Sequence, residues 1–233
     1  MASPSKKESI REMFDDISPD YDFLNHFLSF GIDFLWRKRL VGLLKKKRPG
    51  LVLDVATGTG DLAIAIAMAM PVQVTGVDIS EKMLAIGRAK VDGKGLSNVV
   101  HLQVADAESL PFPDDYFDVI TVAFGVRNYE NPDKGLREMR RVLRPGGVMM
   151  ILEFSHPGSF PMKQLYGIYS RCVIPVMGRM ISGSSKAYTY LPESVAAFPS
   201  GDEFLAILSG VGLKNESCLI LSAGIASIYC AEK

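Results

Sequence analysis

Five short apolar runs recur along the first two-thirds of the chain, and the stretches between them carry apolar residues at helical spacing. Leu51–Val55, Val72–Asp78, Asn98–Val104, Tyr116–Ala123 and Val148–Phe154 read as strands. Helices are expected over Leu62–Met70, from Ser80 onward with a serine cap, and over Leu136–Leu143, with Arg144–Gly147 as a turn. Upstream, Ile10, Met13, Phe14 and Ile17 share one face of a helix that Ser18-Pro19-Asp20 stops. Tyr21 to Leu44 is rich in aromatics and holds two further helices parted by Gly31.

The rhythm breaks at Ser155–Ser200, a stretch with several glycines and prolines that reads as a helical insertion over a site. A last helix, Asp202–Leu208, is expected to be capped by Ser200 or Asp202. Leu213–Leu221 and Ala223–Ala231 then look like an antiparallel hairpin. Strand–helix alternation of this kind predicts an α/β, Rossmann-like, mainly parallel sheet, with its ligand at the carboxyl ends of the strands. The expected organisation is one domain over 1–233. It comprises a helical cap (1–48), a core (49–154 and 201–233) and a covering insertion (155–200).

Composition narrows the partners. Twenty-six basic and 26 acidic residues cancel, so no global field favours nucleic acid. Cys172, Cys218 and Cys230 lack metal-ligand spacing and are odd in number, which suits small buried thiols in a reducing compartment. Met1–Glu8 lacks a signal-peptide core, and the apolar Leu62–Val77 is broken by Pro71. A cytoplasmic protein is expected, with at most peripheral contact with a membrane. The run Lys45–Arg48 is a solvated helix end that would assist such contact modestly.

The turn after the first strand carries the chemistry. Gly58-Thr59-Gly60 lets a ligand approach the backbone, as many nucleotide loops do. Asp54, at the end of that strand, would repel a pyrophosphate and attract a cation. Asp78 ends the second strand, where an acid meets ribose hydroxyls, and Asp106-Ala107 follow the third, beside a planar base. A positively charged nucleoside without phosphate satisfies all of these, and S-adenosylmethionine is such a molecule. By the glycine loop alone, a nicotinamide-dependent oxidoreductase is the alternative.

Longer motifs are more specific. Tyr21–Asn25 with Ser29 and Trp36-Arg37, the loop Phe124-Gly125-Val126-Arg127-Asn128, and Arg141–Gly147 leading to Glu153-Phe154-Ser155 resemble the signature segments of ubiquinone/menaquinone biosynthesis C-methyltransferases. Leu24 stands where that family often has methionine, and Asp33 where its pattern has histidine. The resemblance implies methyl transfer from S-adenosylmethionine to a ring carbon of a lipophilic, prenylated quinol, with demethylmenaquinol first and a benzoquinol second. Arg127 would stabilise the phenolate or orient a water, with an ion pair to a nearby acid as its plain alternative. Asn128 would hold the same oxygen, and Tyr21 and Tyr190 are candidate substrate contacts. Glu153 is read as base, pocket ligand or ion-pair partner, and His156 as a possible base. A homodimer is compatible with the sequence, and an apolar channel built by the cap and the insertion is expected.

Overall fold

The computed structural model describes residues 5–158, 160–169 and 185–233. Cys172 and the middle of the expected insertion lie outside the described residues.

The cap consists of α1 (Lys6–Ile17), α2 (Tyr21–Leu28) and α3 (Ile32–Lys45). Ser5 and Glu8 close a capping box on α1, satisfying two otherwise orphaned N–H groups. Gly31, at φ 73°, makes the left-handed break between α2 and α3 that the sequence announced.

The core runs β1 (Leu51–Val55), α4 (Asp61–Ala69), β2 (Gln73–Asp78), α5 (Glu81–Gly93), β3 (Val100–Val104), β4 (Phe117–Ala123), α6 (Pro132–Val142) and β5 (Leu143–Phe154). After β5 come α7 (Met162–Ile168), α8 (Ser185–Ala197), α9 (Asp202–Gly210), β6 (Lys214–Leu221) and β7 (Ala226–Glu232). The sheet order is β3-β2-β1-β4-β5-β7-β6. β7 pairs antiparallel with both β5 and β6, so it alone is reversed. The expected hairpin forms, with β7 inserted between its partner and the parallel strands. Reversal of strand order between β1 and β4 opens the crevice where such sheets bind ligands.

Both faces of the sheet are covered, which is why the central strands are almost continuously apolar. Trp36, Leu40 and Leu44 of α3 pack with Ile66, Val74 and Leu152 on one side. Leu136, Met139, Leu208 and Tyr229 belong to the other cluster.

Three expectations are corrected. α6 begins at Pro132, ahead of Leu136, because Asn131 caps it and Pro132 occupies its first turn. Arg144–Gly147 is absorbed into β5 as an irregularity, seen in the register shift opposite Phe117 and Val119. α9 is preceded by Gly201, with no side-chain cap from Ser200 or Asp202.

Candidate active site

The sequence places two sharp turns side by side at the carboxyl ends of β1 and β4. Ala56 and Phe124 follow those strands at φ 54° and 59°, a region that costs free energy for residues with a side chain. A Cβ on Gly125 would stand 2.6 Å from the Ala56 Cβ, so only glycine lets the two turns touch. Strain at both strand ends marks the place where function is built.

Three cavities open there in series. The first, about 680 Å³, is lined by Gly58, Asp78, Asp106, Ala107, Asn128 and Tyr129, with Phe14 and Lys7 of α1 as its roof. The second holds Asn25, Ser29, Asp33, Arg37, Arg127 and Tyr190. Phe14, Tyr21 and Phe124 line both and form the partition between them. The third, about 990 Å³, is almost wholly apolar, with Trp36, Met162, Leu165, Val195 and Ile225 in its wall. Asn25, Ser29, Phe154 and Leu191 are shared between the second and the third.

In the first cavity, Asp78 accepts the N–H groups of Gly58 at 2.8 Å and Ser80 at 2.9 Å. Those bonds fix the glycine turn against β2, and burial pushes the Asp78 carboxyl up from its usual range. Tyr129 has a buried hydroxyl without a hydrogen-bond partner among the described residues, and it faces the cavity. The acid, the glycine turn and this hydroxyl fit a phosphate-free nucleoside.

Asp106 lines the cavity with both oxygens engaged. Lys7 of α1 pairs with one at 2.6 Å, and the Glu108 N–H bonds the other at 2.9 Å. Lys6 donates to the Tyr129 carbonyl, so α1 is stapled over the cavity at two points.

Asp54, Thr59 and Gly60, also expected at the donor, do not line the first cavity. Asp54 is fully buried and accepts hydroxyl hydrogens from Thr57 at 2.6 Å and Thr121 at 2.7 Å. Thr59 turns toward the cap, donating to Asp22 at 2.6 Å. Gly60 is the left-handed entry to α4. Their work is to hold the loop, because a side chain at the end of a buried strand points into the sheet layers as readily as outward.

Burial pushes the Asp54 carboxyl up to about 6 against its two hydroxyl donors. The folded state therefore binds this proton more tightly than the unfolded chain does. Asp54's contribution to stability accordingly declines as pH rises from about 4 through about 6. Asp54→Asn should remove that decline, so the stability of the variant relative to wild type, read by urea unfolding, rises across this window. A constant difference from pH 4 to 7 would contradict the assignment.

In the second cavity Arg127 is buried and donates to Glu153 at 2.7 Å and to the Phe124 carbonyl at 2.6 Å. The ion pair anticipated as the plain reading is present, and Glu153 is an ion-pair partner. Arg127 nonetheless lines the cavity, and its buried Nε has no acceptor among the described residues. Asn128 accepts a hydrogen bond from the Tyr190 hydroxyl at 3.0 Å, linking the walls of the first two cavities. Burial raises the pKa of Tyr21 and Tyr190 above the usual phenol value, so both remain donors near neutral pH. His156 is solvent-exposed in a surface hollow that shares Tyr166, Pro192 and Val195 with the third cavity, and it lines none of the three cavities itself.

A charged network missed in the sequence supports the turn from the cap side. Asp33, almost wholly buried, accepts from His26 at 2.8 Å, Ser29 at 2.6 Å and Arg37. Arg37 continues to Asp61, and Lys90 joins Asp61, Asp22 and Thr59. Asp33 stands where the resemblance implied a histidine, and His26 of α2 places an imidazole against it. The departure at Asp33 was the signal that could have revealed the network.

The sheet order, the acid-bearing glycine turn and the phosphate-free cradle define a Rossmann-like, S-adenosylmethionine-dependent methyltransferase. A SAM-dependent methyltransferase from Thermotoga maritima superposes with a TM-score of 0.67 at 20% identity, covering 96% of this chain and 99% of its own. A phosphoethanolamine N-methyltransferase from Haemonchus contortus, solved with S-adenosyl-L-methionine, gives 0.60 at 17% identity over 84% of this chain and 52% of its own.

Sequence similarity is far closer than this fold-level likeness. The chain belongs to the ubiE/COQ5 methyltransferase family, whose model matches residues 2–233. The demethylmenaquinone methyltransferase of Bacteroides fragilis is 48% identical over 98% of this chain and 94% of its own length. The ubiquinone/menaquinone biosynthesis C-methyltransferase UbiE of Geotalea daltonii is 50% identical over 98% and 97%. The oxidoreductase alternative is thereby set aside.

Proposed function

We propose that this enzyme methylates a ring carbon of a prenylated quinol, with demethylmenaquinol as its substrate. The serial arrangement of cavities carries the reading: a polar nucleoside cradle, a chamber of ring size with charged walls, and an apolar tunnel. S-adenosylmethionine, when bound, supplies an electrophilic methyl group on a positively charged sulfur. Gly58, Asp78 and Tyr129 would hold it, with Asp106 and Ala107 beside the base.

The quinol ring would occupy the second chamber. Carbon methylation needs the quinol as a phenolate, because the oxygen lone pair feeds the ring carbon that takes the methyl from sulfur, and that carbon then loses its proton to restore the aromatic ring. The chamber wall carries two arginines, Arg37 and Arg127, against one aspartate, Asp33, while Glu153 lies behind it. Each arginine is already paired, Arg127 with Glu153 and Arg37 with Asp33 and Asp61, so the phenolate would be favoured by hydrogen bonds donated to its oxygen and not by net positive charge. Arg127 would meet one quinol oxygen through its unpartnered Nε, with Asn128 and Tyr190 fixing the oxygen's place. Tyr21 and Phe124 at the partition would hold the ring facing the donor cavity.

The tail belongs in the third cavity. Each buried methylene contributes about 0.8 kcal/mol, so an isoprenoid chain adds binding free energy without polar contacts. The direct test is radiolabelled methyl transfer to demethylmenaquinol and to its benzoquinol counterpart. Transfer to the first supports the reading, and transfer only to the second redirects it.

Asp78→Ala should weaken donor binding about 10- to 100-fold, because it removes both a charged acceptor and the anchor of the Gly58 turn. Calorimetric titration of S-adenosylmethionine checks this. A loss under threefold would take Asp78 out of the donor cradle.

A further inference from the structure

The cap and α7 present an apolar surface that no described element covers. Phe23, Phe30, Phe34 and Leu35 of the α2–α3 corner are 59%, 77%, 53% and 63% exposed. Phe160, Leu165 and Ile168, at and within α7, are 81%, 58% and 62% exposed. The two groups meet: Phe30 and Tyr169 have ring centroids 5.9 Å apart, and Phe30 and Leu165 both line the third cavity. The apolar patch is therefore the rim of the tunnel. Isolated exposed apolar residues are ordinary, but a contiguous cluster around a cavity mouth marks an interaction surface.

The charges beside it select the partner. Leu35, Lys38 and Arg39 share one helical face by their spacing of three and four residues. Lys38, Arg39 and Lys163 are exposed and form no ion pair among the described residues. Between residues 23 and 48 the one acid is Asp33, which is buried, and between 160 and 169 there is none. A chain of zero net charge thus concentrates unpaired cations and exposed aromatics around one opening. Lys47, in the basic run first considered for this role, is tied to Glu232 on β7 instead.

We infer that this face docks on the surface of an anionic bilayer and sets the tunnel mouth at the depth where an isoprenoid tail can leave the lipid. Aromatic side chains enter the interfacial region, while lysine and arginine stay at the headgroups. The inference rests on the reading that the third cavity takes the substrate tail.

The test is co-sedimentation of the full chain with phosphatidylcholine vesicles, with and without 30 mol% phosphatidylglycerol. Wild type should partition at least tenfold more strongly to the anionic vesicles. Leu35→Glu/Ile168→Glu should lower that partition about tenfold, and Lys38→Glu/Lys163→Glu should abolish the preference for anionic lipid. Ile220→Glu, at an exposed apolar residue of β6 that lines none of the three cavities, should change nothing. None of these residues lines the donor or ring cavity, so methyl transfer to a short-tailed quinol should be unchanged. Retained vesicle binding by both double variants would overturn the docking face. So would a wild-type dimer that they convert to monomer, since the patch would then be a subunit interface. Loss of transfer to every quinol by wild type would instead refute the substrate reading.

Discussion

Glu153→Ala is expected to destabilise the fold by about 3–5 kcal/mol, measured by urea unfolding, although it deletes only one side chain. Glu153 is wholly buried near the end of β5 and holds Arg127, itself 7% exposed at its side chain, at 2.7 Å. Its oxygens also receive the Phe154 N–H at 3.0 Å. Deleting the carboxylate leaves a guanidinium in a low-dielectric site with one carbonyl and the Phe154 ring face for company. Proteins rarely tolerate an uncompensated buried charge. A loss below about 1 kcal/mol would mean that water reaches Arg127 freely.

The second large effect separates stability from catalysis. Arg127→Met combined with Glu153→Leu should recover most of that stability, because replacing a buried ion pair with packed apolar groups is often neutral. Turnover should nevertheless stay about 100- to 1000-fold below wild type, the scale of losing one positioned donor to a developing oxyanion. Affinity for S-adenosylmethionine should change by less than about threefold, since Arg127 lies beyond the partition formed by Tyr21 and Phe124. Equal losses in turnover and donor affinity would show that Arg127 acts on the donor cradle and not on the quinol. The single variant Arg127→Ala cannot make this distinction, because it strands Glu153 in turn.

Much of this was legible in the chain because the signals were local. The apolar run Leu51–Val55 is β1 residue for residue, and Gly31 and Ser18-Pro19-Asp20 break the cap where glycine and proline predict. Asp78 and Gly58 line the first cavity, since a strand's last residue and the following turn must face the crevice. Side-chain direction within the turn was not legible. Asp54 and Thr59 belong to the same motif yet point inward and toward the cap, a choice made by Thr121 on β4 and Asp22 on α2. The His26–Asp33–Arg37 network was signalled only by the unexpected Asp33, and the Tyr129 hydroxyl by nothing, because their meaning depends on partners brought in by packing or left absent by it among the described residues.

The central claim is that ring and tail are received in consecutive cavities, the second with charged groups in its wall and the third apolar. The most direct measurement is kcat/KM for methyl transfer across demethylated naphthoquinols of increasing prenyl length, in wild type and in Met162→Trp. Met162 lines only the tunnel, so the larger ring should fill it without touching the chamber. Wild type should gain with each added isoprene unit until the tunnel is full. Met162→Trp should match wild type on the tailless quinol and lose the gain from the tail. A tail dependence that is the same in both proteins, or absent from wild type, would contradict the account.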